Sequence, residues 1–343
     1  MDEFIVIGIV MIIIGIVIIY ILYQVYLTRQ YKTGTETGME NTIITHKNIG
    51  KKGDMENQLF QIATLYSIAK KSKCKMCLPK LVQSLPIYKL FNIEMFEYED
   101  IMTDIDIYEQ ENYENIVIAN DSKKYNINGY RQAYKYFDEY KSEIQKIFEP
   151  KKEVVEEVRK KLPKKYIAIH IRKGDYEKFY HKWDLLRGFA GCDMKYYKNA
   201  LDIFLKMYSS EEPKIIVCTD SPKLVRPLIK SLHKDAIMAP VYEDIPGKFS
   251  DFCVLYLADC LICSNSTYSW MAGYLRDKNV IIPYPWWNPK GFVDKLVNLN
   301  GPYLAYYEWI LLDPKTGIRY EEKIDDNNDK TLYIYKLMRG FFC

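Results

Sequence analysis

Strong charge of either sign is missing from this 343-residue chain, in which 48 Lys and Arg stand against 45 Asp and Glu for a formal net charge of +3. So small a surplus, with its basic residues scattered rather than gathered in a stripe, excludes nucleic acid as the expected partner. No internal repeat is visible, so a solenoid or propeller is not expected. Charge is absent altogether from Phe4 to Thr28, where Ile, Val, Gly, Met and Leu dominate. About 20 residues of helix cross a ~30 Å hydrocarbon core, so this stretch is long enough to span a bilayer. A basic n-region and a small-residue cleavage site are both lacking, which excludes a cleaved signal peptide. Residues 1–28 are therefore expected to be a retained anchor, with Tyr20, Tyr23 and Tyr26 at its interfacial end.

Residues 29–49 are polar, rich in Thr, Gly and Lys, and lack an apolar period, which predicts a flexible stem. The remaining stretch, about 290 residues, is long enough for two compact units. All eight cysteines lie beyond the anchor. The Cys74/Cys77 and Cys260/Cys263 spacings invite a zinc reading, but the second pair sits in an apolar strand-like run whose alternate side chains diverge. Buried thiols are expected there.

Strand and helix alternate from Tyr166 to Pro283. Strands are expected at Leu261–Ser264, Lys214–Thr219 and Val280–Pro283, and at the run ending in Arg172. Helices are expected at Tyr196–Met207, Pro222–Leu232 (with Ser221 as N-cap), Ser250–Ala258 and Thr267–Arg276. That order predicts an α/β fold with a mostly parallel sheet. Upstream, Asn57–Ser72, Tyr134–Phe148 and Val154–Leu162 have helical spacing, and Ile116–Ala119 is a short strand candidate. The boundary between two α/β lobes is expected near Pro150–Pro163. This gives an N-terminal lobe over 50–160, a C-terminal lobe over 161–300 and an unassigned extension over 301–343.

The segment Ile167-Ala-Ile-His-Ile-Arg-Lys-Gly-Asp-Tyr176 carries the most chemistry. An apolar strand runs out at Lys173-Gly174, leaving His170, Arg172 and Asp175 clustered where α/β sheets bind ligands. The Arg fork matches phosphate oxygens, and glycine lets the backbone approach a ligand closely. The start of the helix after Ser264-Asn265-Ser266-Thr267 offers free N–H groups and a favourable dipole to the same kind of anion. Plain helix capping is the simpler account of Ser266 and Thr267.

These residues resemble a known family. Ile167–Tyr176 is similar to the His-x-Arg-Arg-Gly-Asp-Tyr motif of the α-1,2-fucosyltransferases, glycosyltransferase family 11, and more loosely to that of α-1,6-fucosyltransferases. Gly53-Asp-Met-Glu-Asn-Gln-Leu-Phe-Gln-Ile-Ala63 is similar to the family's Gly-x-x-Gly-Asn-Gln-Leu-Phe-Gln-Tyr-Ala. Gly129-Tyr-Arg-Gln-Ala-Tyr-Lys-Tyr-Phe137 and the stretch from Cys263 to Ala272 resemble two further motifs, in the family's order. Three positions depart from it: Glu56 replaces a glycine, Lys173 the second arginine and Met271 a tryptophan.

The resemblance implies two Rossmann-like lobes facing a cleft (the GT-B arrangement) and inverting transfer of fucose from GDP-fucose to the 2-OH of a galactose-like sugar, with no metal or other cofactor. It implies that Arg172 contacts the donor phosphates and that Asn265, Ser266 and Thr267 help hold the nucleotide. It further implies that His170 touches guanine and that Asp220 accepts from the guanine edge. Asn57, Gln58, Tyr130 and Gln132, with Arg131 and Tyr136, are expected on the acceptor side. Asp175, Glu177, His181 and Asp193 are candidate bases, and Asp175 serves equally as a brace for Arg172. Two other readings stand beside this one: an inactive membrane-tethered glycan- or nucleotide-binding module, suggested by Glu56 and Lys173, and a metal-dependent transferase using Asp104 and Asp106. The family implies a Golgi-type, type II membrane protein. The flanking charges, Asp2 and Glu3 before the span and Arg29 and Lys32 after it, imply the reverse orientation.

Overall fold

The computed structural model describes residues 42–51, 53–110, 113–174, 191–208, 212–276, 279–284, 286, 304–306 and 308–320. The segment read as a membrane anchor and the candidate bases Asp175, Glu177 and His181 lie outside them. Among the described residues no helix is long and apolar enough to cross a membrane.

The N-terminal part runs β1 (Ile43–Thr45), α1 (Met55–Ser72), β2 (Lys75–Leu78), α2 (Pro86–Leu90), β3 (Glu97–Tyr98), β4 (Ile105–Ile107), β5 (Lys124–Ile127), α3 (Lys141–Ile147) and α4 (Lys152–Arg159). Its five strands are all parallel, in the order β3-β2-β1-β5-β4. The C-terminal part runs β6 (Tyr166–Ile171), α5 (Met194–Met207), β7 (Lys214–Thr219), α6 (Pro222–Val225), α7 (Ile229–Leu232), β8 (Ala236–Met238), α8 (Gly247–Leu257), β9 (Cys260–Ile262), α9 (Thr267–Arg276), β10 (Asn279–Pro283) and β11 (Ile310–Leu312). Its six strands are also parallel, in the order β11-β10-β9-β6-β7-β8. Both halves are thus Rossmann-like α/β units, as the strand–helix alternation predicts.

All six residues of β6 are buried. A strand flanked on both edges and covered on both faces needs the unbroken apolar run seen here. Cys260 and Cys263 are fully buried at and just after β9.

Several expectations are corrected. Ile43–Thr45, inside the expected stem of 29–49, is the central strand β1, pairing with β2 and β5. Three residues are too few to show a period. The polar residues around it are satisfied only in the fold, where the Thr42 hydroxyl donates to Asn120 and accepts from the Asp121 and Ser122 N–H groups. Ile116–Ala119 is not a strand. The slot beside β1 belongs to β5, and the Ile118 N–H instead donates to Ser72 Oγ at the end of α1. The expected helix over 134–148 breaks into two 3-10 turns before α3, because Phe137 leaves helical geometry at φ −137° and ψ −1° to enter the core. The expected helix over 222–232 splits around Pro227, whose ring and missing N–H interrupt the ladder. Strand β11 lies in the extension left unassigned.

The two halves share one continuous apolar core. Phe60 of α1 packs on Trp270 of α9 at 5.0 Å between ring centroids. Trp270 stacks on Tyr274 at 5.1 Å, and Phe137 meets Tyr274 edge-on at 5.3 Å. The Tyr274 and Tyr306 hydroxyls both donate to Asp138 Oδ1, at 3.0 and 3.1 Å, so the buried polar ends of this aromatic seam are satisfied.

Candidate active site

In an open parallel sheet, ligands bind where neighbouring strands feed helices in opposite directions. Here that point falls between β6 and β9, since β6 leads to β7 and β8 on one side and β9 to β10 and β11 on the other. The segments leaving these two strands are the two motifs singled out in the sequence, 172–174 and 264–267.

Arg172 leaves β6 with Nε 3.0 Å from Asp220 Oδ2. Asp220, at the end of β7, also accepts the Lys173 N–H at 3.0 Å and the Gly174 N–H at 3.2 Å. A Cβ on Gly174 would sit 2.6 Å from that carboxylate, so only glycine fits. Asp220 thus shapes the Arg172 loop. Asp193, the candidate base among the described residues, stands at the start of α5 with Lys315 Nζ 3.6 Å away.

His170 is buried, with Nδ1 3.0 Å from the hydroxyls of both Ser269 and Ser264. Burial drives its pKa down to about 3, so the imidazole is neutral and ties β6 to α9. Asn265 and Ser266 are also buried, and Thr267, half-buried, opens α9. The Ser266 carbonyl accepts from the Trp270 N–H, which anchors the first turn. Arg172 and the positive end of α9 thus leave neighbouring strands at the switch point, an arrangement suited to a diphosphate.

Across from it stands the start of α1. Gly53 has φ +78°, and a Cβ there would meet the Asn57 side chain at 2.6 Å, so this glycine is required. Asp54 pairs with Lys248 of α8 at 2.7 Å, joining the two halves. Glu56, in the position of a family glycine, is largely buried with Oε2 4.0 Å from Lys248 Nζ. Its pKa is raised, mainly by burial and further by Asp54, against the opposing pull of Lys248 and Arg172. Sequence reasoning missed Asp251 on α8, whose carboxyl is pushed up to about 7 by burial. A lone acid in an otherwise apolar helix, Phe252-Cys-Val-Leu-Tyr-Leu257 following it, is the signal that was available.

Of the residues expected on the acceptor side, Asn57 accepts a hydrogen bond from Gln132, while Gln58 is buried and Tyr130 is 43% exposed. Arg131 is not in the cleft. It is fully buried with φ +54°, and its guanidinium donates to the Asn128 and Ile107 carbonyls at 2.7 and 3.1 Å and to the Tyr136 hydroxyl. It staples the ends of β4 and β5, and Tyr136 is its partner. Asp104 and Asp106 also serve the fold: Asp104 accepts the Lys124 N–H at 2.8 Å and Asp106 the Asn126 amide at 2.6 Å. Among the described residues no group of three or more His, Cys, Asp or Glu is placed to hold a metal ion.

Residues 17–294 match the family described as glycosyl transferase family 11. Galactoside alpha-(1,2)-fucosyltransferase 2 of Pongo pygmaeus is 25% identical over 248 residues, covering 67% of this chain and 68% of its own length. Galactoside 2-alpha-L-fucosyltransferase SEC1 of Bos taurus is 24% identical over 251 residues, covering 68% and 65%. A solved structure of an Arabidopsis thaliana FUT1 mutant in complex with GDP is 12% identical, covers 75% of this chain and 76% of that one, and has a TM-score of 0.45. With the family match extending over most of its length, this chain belongs to glycosyl transferase family 11.

Proposed function

We propose that this protein is an inverting fucosyltransferase that moves fucose from GDP-fucose to the 2-OH of a terminal galactose-like sugar. The observation that supports the reading is that Arg172 and the start of α9 follow the adjacent strands β6 and β9, in a chain of this family. In a single displacement, the acceptor oxygen bonds to the anomeric carbon as the bond to the β-phosphate oxygen breaks. GDP leaves with the electron pair, and the hydroxyl proton passes to a base. Arg172, with Lys173 beside it, and the free N–H groups of α9 oppose the charge growing on the diphosphate, usually the largest single catalytic contribution. Asp220 and Gly174 hold Arg172 in place. Asn265, Ser266 and Thr267 take the nucleotide side, Asn57, Gln58, Tyr130 and Gln132 the acceptor side, and Asp175 acts as base or as a brace on the arginine.

The same reading makes the C-terminal half the donor side and the N-terminal half the acceptor side of a GT-B enzyme. Residues 4–28 would tether it to a bilayer in a Golgi-type, type II orientation, and it would need no metal. Incubating the full chain in detergent with GDP-fucose and a panel of β-galactosides should give a product heavier by one fucose, in the presence or absence of EDTA. Arg172→Ala should lower kcat/KM by at least ~100-fold, the scale of losing one preorganised donor. Full activity in that variant would overturn the site. Activity restored after EDTA only by Mn²⁺ would overturn the metal-free reading.

A further inference from the structure

The N-terminal sheet has a switch point of its own. Its order places β1 and β5 side by side, with β2 and β3 beyond one and β4 beyond the other. A cavity of about 460 Å³ opens there, within the roughly 300–1,000 Å³ typical of small-ligand sites. Its walls come from the segments leaving the strands: Asn48 after β1, Tyr108 and Glu109 after β4, Asn128 and Tyr130 after β5. Gln61 of α1 also lines it, one helical turn beyond Asn57.

The lining is built rather than incidental. Glu109 accepts the Tyr130 and Arg131 N–H groups at 2.7 and 2.6 Å. Gly129, with φ +109°, allows that approach, since a Cβ there would meet Glu109 Cβ at 2.4 Å. Asn48 donates to Asn128 at 2.7 Å, and His46 bonds the Gly129 carbonyl at 2.8 Å. Gln61 is 1% exposed and donates its amide to the Gly129 carbonyl at 3.3 Å, yet its own carbonyl oxygen is buried with no hydrogen-bond partner in the protein. A buried acceptor left unmet is unusual in a folded chain and is satisfied when a ligand hydroxyl or water reaches it. Tyr108 and Tyr130, by contrast, are 62% and 43% exposed at the rim.

We infer that this cavity is a subsite for a neutral sugar ring of the acceptor glycan. Amides and a carboxylate face the ring's hydroxyls, and the two tyrosines offer flat surfaces to its C–H face. Glu109 disfavours an anionic ligand such as a second nucleotide. Gln61 lies one helical turn after Asn57 on α1, and Tyr130 is two residues before Gln132, which donates to Asn57, so the cavity adjoins the start of α1. This inference rests on the proposed function, naming where its acceptor is held.

Tyr108→Ala removes an exposed rim side chain and is the variant of choice, with Glu109→Gln as a second. In the full chain in detergent, each should raise the KM for lactose by ~10-fold or more, while the KM for GDP-fucose and the slow hydrolysis of GDP-fucose without acceptor stay within about twofold. Saturation-transfer NMR with lactose alone should show contact in the parent chain and its loss in both variants. Unchanged lactose KM in both variants, with transfer intact, would overturn the subsite. Lactose binding lost in these variants, in a chain that transfers no fucose, would leave the subsite standing and overturn the transferase reading instead.

Discussion

At the scale of single residues, the site is organised by one carboxylate that touches no substrate in the proposed mechanism. Asp220 holds both the Arg172 side chain and the backbone that follows it, and Gly174 exists because that carboxylate lies where a Cβ would be. Glu56 is one of the three residues that depart from the family pattern. Burial favours its neutral form, so its pKa lies above the ordinary carboxylate value and it ionises later as pH rises. Once ionised it opposes a diphosphate near Arg172. The KM for GDP-fucose should therefore rise with pH as Glu56 ionises, and Glu56→Gln should flatten that rise. Steady-state kinetics across pH checks this, and parallel profiles for parent and variant would count against it.

At the scale of elements, α8 carries an internal conflict. It buries Phe252 to Leu257 against the sheet but also holds Asp251, whose carboxyl is raised to about 7 from 3.8. A carboxyl with a raised folded pKa binds more protons in the native state, so its contribution to stability is present at low pH and lost as pH rises from 3.8 to about 7. Asp251→Asn, neutral at every pH and nearly the same size, should raise Tm by a few degrees at about pH 8 and leave it unchanged at about pH 4. Thermal unfolding at the two pH values tests it, and an equal shift at both would mean the carboxyl is not what strains the helix. Strand β6 shows the opposite economy. Its one polar side chain, His170, is held by two serines, so a fully buried strand carries no unsatisfied group there.

At the scale of the whole molecule, two parallel sheets each present a crevice, and the aromatic seam between α1 and α9 fixes one against the other. Trp270 is at its centre, fully buried, touching Phe60, Tyr274, Tyr306 and Trp309. Trp270→Ala should cost about 3–5 kcal/mol, the usual loss for a large buried aromatic. Because the core is continuous across the seam, both halves should be destabilised together. Chemical denaturation followed by far-UV circular dichroism should show one shifted transition, and a parent-like midpoint would mean the seam is not what joins the halves.

What the sequence by itself determined lies where signals are local and long. The unbroken apolar run of β6, the helical spacing of α9 and the motif ending in Lys173-Gly174 place a strand, a helix and a turn, and α9 spans Thr267–Arg276 as expected. Periodicity needs several residues and motifs need adjacency, and these stretches supply both. Only the tertiary structure decided the rest. A three-residue strand such as β1 has too little sequence to read, and its polar neighbours are satisfied by partners about 80 residues away. Arg131 is expected in the cleft from its place in the Gly129–Phe137 motif, but the ends of β4 and β5 give its guanidinium carbonyls to bond. The cavity at the β1/β5 switch point is lined by residues from 48 to 130 that no contiguous motif joins. Strand order alone brings them together, and strand order is fixed by long-range packing rather than by any local stretch of chain.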